Sequence, residues 1–150
     1  SSSRFGNVYA NYLVGQAITS AYADLAERFE ADAVYPAGTV VALGGIKEIT
    51  AVAEELTEDV FGVISMRAGF LMNGEAGDNA SHPPVAMQGR VPVRVVGRVK
   101  KGDRLVSAGA GLARAASKGE YTAFNVIGRA LEDKMSLTED IIEAIVKLNS

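Results

Sequence analysis

Two consecutive glycines, Gly44-Gly45, divide Thr39-Val40-Val41-Ala42-Leu43 from Ile46-Lys47-Glu48-Ile49-Thr50, and this arrangement directs the chain to fold back on itself. Val, Ile and Thr branch at Cβ, which crowds a helical turn but suits a pleated strand. Glycine accepts the positive φ that a tight turn between right-twisted strands requires. The segment therefore predicts a β-hairpin with a two-residue glycine turn, entered through Pro36 and Gly38, which set the bend before it.

Other segments share the two-residue period. Val60 to Ser65 reads as a short buried strand. Val85 to Val99 puts Val91, Val93 and Val95 on one face and Pro92, Arg94 and Val96 on the other. Pro92 has no N–H for a ladder, so this strand is expected at a sheet edge or with a bulge at that residue. Lys100-Lys101-Gly102-Asp103 predicts a turn into Arg104 to Ser107 and a second hairpin. Phe124 to Leu131 reads as a strand. Residues 66 to 84 hold Gly69, Asn73-Gly74, Gly77 and Pro83-Pro84 and read as one long loop. Residues 108 to 119 are rich in Ala and Gly with little periodicity. Gly109-Ala110-Gly111 has half of a phosphate-binding fingerprint, but Arg114 stands where the third glycine belongs. Near the end, Ser136-Leu137-Thr138-Glu139 has the form of a helix-capping box, whereas Ile141 to Leu148 is rich in β-branched residues, which favours a strand.

The first residues differ. Phe5 to Gly15 alternates aromatic or aliphatic residues with small and polar ones, as an extended stalk would. From Ile18 to Asp32, Ala21, Tyr22, Leu25, Ala26 and Phe29 recur mostly at three and four, which predicts a short helix. The expected organisation is a stalk-like segment over 1–20 and a β domain over 21–150. The expected fold is mainly β, a compact barrel-like or sandwich domain of short hairpins with one short N-terminal helix. Absence of an initial methionine reads as the boundary of a piece cut from a longer chain.

Composition narrows the function. The net charge of -3 and the scattered Lys and Arg give no footprint for a phosphate backbone, so nucleic acid is not an expected partner. Without cysteine there is no thiolate nucleophile or disulfide framework, and the lone His82 cannot build a histidine metal cluster, so neither metal nor cofactor is expected. No apolar run approaches the roughly 20 residues of a membrane-spanning helix, so membrane insertion is not expected.

Several blocks in order carry a resemblance over nearly the whole chain: Tyr22 to Asp32 followed by Tyr35 to Val41, Gly62-Val63-Ile64-Ser65, Leu71-Met72-Asn73, Val85 to Pro92, Lys101 to Val106 and Ile127 to Glu132. They resemble the C-terminal domains of tailed-phage tail-fibre and appendage proteins. More distantly, Tyr-Ala-x-x-x-Glu, then Gly-Val-Ile-Ser, then Ile-Gly-Arg-Ala-Leu is similar to the intramolecular-chaperone autoproteolytic domain of Bacillus phage neck appendages. The resemblance implies a virion component made in the host cytoplasm, a homotrimer that caps a fibre, contacts with other virion tail proteins and a host surface receptor as a further partner. It also implies an alternative, a self-cleaving chaperone that assists the fibre to fold and is then released. This chain departs from that family in its length and middle loop.

Candidate residues follow from these readings, each beside a plainer one. Glu27, with Asp24 or Glu30, matches the acidic motif and would supply carboxylates for a single-turnover cleavage, with Ser1 as a terminal nucleophile. The plainer reading is a solvated acidic helix face carrying Asp24, Glu27, Glu30 and Asp32, and a polar linker at Ser1 to Ser3. Phe5, Tyr9, Tyr12, Leu25 and Phe29 would form the oligomer interface, because a stalk with aromatics on both faces needs neighbouring chains. Phe70, Asn73 and His82 mark the loop for receptor contact. A free-standing carbohydrate-binding β domain, with Phe70, Leu71 and Met72 lining its pocket, is the third alternative.

Overall fold

A computed structural model describes residues 23–147. These residues form ten strands: β1 (Ala23–Arg28), β2 (Val40–Leu43), β3 (Ile49–Ala51), β4 (Val60–Ile64), β5 (Phe70–Met72), β6 (Pro84–Val95), β7 (Arg104–Gly109), β8 (Leu112–Ala115), β9 (Val126–Ala130) and β10 (Asp140–Lys147). The fold is all β. The stalk expected over 1–20 lies outside the described residues.

Five strands close on themselves in the order β6-β8-β7-β9-β10 and back to β6. Closure leaves these strands without a free edge. The interior is filled by the predicted alternation: Val91, Val93 and Val95 of β6 are fully buried with Leu105, Ala113, Ile127, Ala144 and Val146. Outside the barrel, β4, β2 and β3 continue the sheet from β6, and β1 pairs β6 with β5 beside it. A second, smaller core of Val41, Ile49, Ile64 and Val85, flanked by Phe29 and Phe61, lies in this extension.

The glycine hairpin forms, with Val41, Ala42 and Leu43 opposite Ala51, Thr50 and Ile49, but its connection spans Gly44 to Glu48, closed by the Gly44 N–H donating to the Glu48 carbonyl at 2.9 Å. Ile46 is thus an exposed turn residue and not the first of a strand. The two-residue turn lies in the segment that showed no period. Ala110 and Gly111, at φ 54° and 75°, join β7 to β8 as a type I′ turn, in which both central residues need positive φ. The turn at Lys100 to Asp103 is present, but β7 pairs β8 and β9, so no hairpin joins it to β6.

Helix formation is overruled across Ala23–Arg28, which is strand β1; residues 18–22 of the expected helix lie outside the described residues. Pro84 to Arg90 of β6 offers β1 a complete antiparallel ladder, and tertiary pairing outweighs local spacing. Pro92 is not on an edge, since β6 pairs β10 through it. The Arg94 N–H points away from β10 to the Gly38 carbonyl at 3.0 Å, so the Pro92 nitrogen, two residues back, faces that same side, where β1 has already ended at Arg90. The bulge sits upstream, at the register shift that skips Met87. The end of the chain is a strand as far as Lys147.

Candidate functional site

Alternation along β1 turns Asp24 and Ala26 inward and Leu25 outward. Asp24 is only 4% exposed. It is held there by close contact with β6: a Cβ at Gly89 would lie 2.2 Å from the Ala23 carbonyl oxygen, and Gly89 has φ 106°, so glycine is required on both counts. Asp24 Oδ1 accepts the Gly69 amide proton at 3.0 Å, while Oδ2 is buried without a hydrogen-bond partner among the described residues. A buried carboxylate oxygen left unpaired is costly and marks a place worth a functional reading.

Asp24 lines a cleft of about 490 Å³ between β1, the end of β4, β6 and β10, walled by Ala37, Ile64, Met66, Pro92 and Ile141, with Arg67, Arg90 and Glu143 also at its lining. Arg90 and Glu143 form an ion pair at 3.4 Å. The arrangement offers a carboxylate in a largely apolar enclosure, suited to holding a hydrogen-bond donor.

The acidic residues read together from helical spacing are separated by the strand. Asp24 and Glu27, three apart, face opposite sides of β1. Glu30 pairs Lys47 at 3.1 Å, and Asp32 accepts from the Tyr35 hydroxyl. A paired-carboxylate centre at Asp24 and Glu27 is therefore not assembled. Among the described residues no cluster of three or more His, Asp and Glu could hold a metal. Ser1, Phe5, Tyr9 and Tyr12 lie outside the described residues. Leu25 is outward, beside Phe70 of β5 in parallel register, whereas Phe29 packs edge-on against Phe61 with ring centroids 5.1 Å apart.

The loop after β5 is more ordered by side chains than its composition suggests. Arg28, not singled out from the sequence, donates from Nε to the Gly74 carbonyl at 2.9 Å and from Nη1 to Asn79 Oδ1 at 2.8 Å and the His82 carbonyl at 2.7 Å. Asn73, at φ 55°, donates to the Arg28 carbonyl. Asp78 Oδ1 accepts from Ser81 N, Ser81 Oγ and Ala80 N, and the Ser81 contacts chiefly hold its carboxyl below the ordinary range. His82 Nδ1 lies 2.9 Å from Ser81 Oγ.

A five-stranded closed barrel extended by a β1–β5 flap and a β2–β4 wing defines the fold class. Solved structures with this fold include two forms of a bacteriophage phi29 gene product. The C-terminal fragment of gene product 12 of bacteriophage phi29 superposes with a TM-score of 0.59 at 19% identity, over 84% of this chain and all of that one. The pre-mature gene product 12 of the same phage superposes with a TM-score of 0.62 at 17% identity over 95% of this chain, which spans 23% of that longer protein. No protein-family model matches the sequence, and no curated protein matches it.

Proposed function

We propose that the chain is a phage virion domain that ends a fibre or appendage, associates as a homotrimer through its outward β5-β1-β6-β10 surface and sits among other virion tail proteins. The observation that carries this is a group of exposed apolar side chains on the outward face of these strands, set among Gln88, Arg90 and Glu143. Leu25, Phe70, Ile141 and Ile145 are all exposed, and the strand registers place them on one continuous face. Exposed apolar side chains grouped on one face, rimmed by polar and charged ones, favour burial between copies. Its fold in a phage appendage supports the same reading. Receptor contact is assigned to the Arg28-braced loop with Asn73 and His82. Light scattering on the 150-residue chain tests the assembly: a trimer is expected, and a monomer would favour a free-standing carbohydrate-binding domain instead.

A second reading, a domain that cleaves its own precursor once, is favoured by Asp24. Its Oδ2 is the buried, unpartnered carboxylate oxygen, and the fold occurs both inside a pre-mature phage protein and as a separate C-terminal fragment. In this reading Asp24 takes the place given to Glu27 by the sequence motif. A precursor with added upstream residues would split on expression, Asp24→Asn would prevent the split, and Glu27→Ala would leave it. An intact wild-type precursor would remove this reading.

A further inference from the structure

Arg104 of β7 and Arg129 of β9 are direct cross-strand partners. Like charges facing one another across a ladder destabilise it, and the chain as a whole is acidic, with net charge -3. Three arginines elsewhere on the fold are neutralised: Arg90 by Glu143, Arg94 by Glu139, and Arg114 by Glu55 and Glu120. Among the described residues Arg104, Arg129 and Lys147 make no ion pair. Arg129 uses Nε on the Gly102 carbonyl at 2.7 Å, which leans it towards the turn before β7.

Arg104 is turned instead to an aromatic ring. Its guanidinium carbon lies 4.6 Å from the centroid of Tyr121. Stacking occupies one face of the guanidinium and fixes its plane, while the N–H donors in that plane stay free for a two-oxygen acceptor. Arg104, Tyr121, Thr122, Val126 and Lys147 line a cleft of about 530 Å³ whose lining, among the described residues, contains no carboxylate. One carboxylate reaches the cleft indirectly, Glu58, which accepts the Thr122 hydroxyl proton at 2.8 Å.

We infer that this cleft is an oxyanion site that takes a phosphate or carboxylate group carried on a small ligand such as an acidic sugar, with Arg104 and Lys147 as its charge partners. The bound oxyanion offsets the repulsion built into the Arg104–Arg129 pair, so ligand binding and barrel stability are linked. The site is separate from the Asp24 cleft and does not depend on the fibre reading.

The test is amide-resolved NMR titration of the 150-residue chain at constant ionic strength, with inorganic phosphate in one arm and galacturonate in the other, alongside thermal unfolding. Saturable shifts at Tyr121 to Val126 and a raised Tm are expected in at least one arm, and the arm that responds identifies the source of the oxyanion. Arg104→Gln and Lys147→Gln should each weaken the binding by about tenfold, as loss of a charge-assisted hydrogen bond would. Absence of saturable shifts in both arms, or equal binding by wild type and both variants, would overturn the assignment.

Discussion

Asp24 accepts the Gly69 amide proton through one carboxylate oxygen and keeps the other buried and unpaired. The first half of that relationship ties β1 to the segment before β5. The second half costs stability, since a buried polar atom without a partner is penalised by about 1–3 kcal/mol. Asp24→Asn keeps the acceptor for Gly69 but sets an amide NH2 where the unpaired oxygen lies, leaving buried donors without an acceptor, so it is expected to lower unfolding stability by about 1 kcal/mol. Denaturant titration checks this, and an unchanged or raised stability would show that an acceptor reaches this position in solution.

Arg28 joins the end of β1 to three acceptors in the loop after β5. Truncation to Ala removes all three bonds at once and should cost about 2 kcal/mol, at the lower end for several part-buried charged hydrogen bonds. The loop from Asn73 to His82 should then exchange its amide protons faster than the barrel does. Arg28→Lys should recover only part of the protection, because a single ammonium cannot reproduce the guanidinium fork. Hydrogen exchange measured on both variants would separate these outcomes.

The sequence made the barrel interior legible because β6 is amphipathic at period two, and Val91, Val93 and Val95 could be assigned to one face without knowing their partners. It hid β1, because Leu25, Ala26 and Phe29 satisfy a helical stripe as well as a strand beside a waiting ladder. That misreading propagated to the site. Helical spacing grouped Asp24 with Glu27, whereas strand geometry gives only Asp24 a buried position. The type I′ turn at Ala110-Gly111 was obscured for a different reason: Ala is a poor advertisement for positive φ, and only pairing of β7 with β8 reveals it. Arg28 and Lys134 were illegible since their acceptors, Gly74, Asn79 and the His82 carbonyl for one and the carbonyls of Gly97, Ser136 and Thr138 for the other, follow from the folded path of the chain, which no motif encodes.

Lys134 is 5% exposed and donates from Nζ to the carbonyls of Gly97, Ser136 and Thr138. It also bridges to Val99 through its backbone, so one residue fastens the segment after β6 to the segment before β10. Lys134→Met preserves the stem's packing and leaves three carbonyls without their donor. A loss of about 3 kcal/mol is expected, because unsatisfied part-buried acceptors each carry a desolvation cost. The urea midpoint should fall with an unchanged slope, the signature of a stability change in an otherwise intact fold.

Glu120 governs the acid limb of stability near β8. Hydrogen bonds from Arg114, followed by the Ser117 amide, hold its carboxyl at about 2 against an ordinary 4.5. The folded value is the lower one, so the unfolded chain binds this proton first as acid is added. The contribution is therefore complete above about pH 4.5 and is lost progressively as pH falls through about 2. Asp78, lowered by its bonds from Ser81, acts in the same direction in the loop after β5. Urea midpoints followed from neutral pH down to pH 2 should decline more steeply in wild type than in Glu120→Gln, which has no proton to take up and begins less stable at neutral pH. Parallel curves for the two proteins would mean that the Arg114–Glu120 pair adds nothing in solution, and that the acid limb is set by other carboxylates.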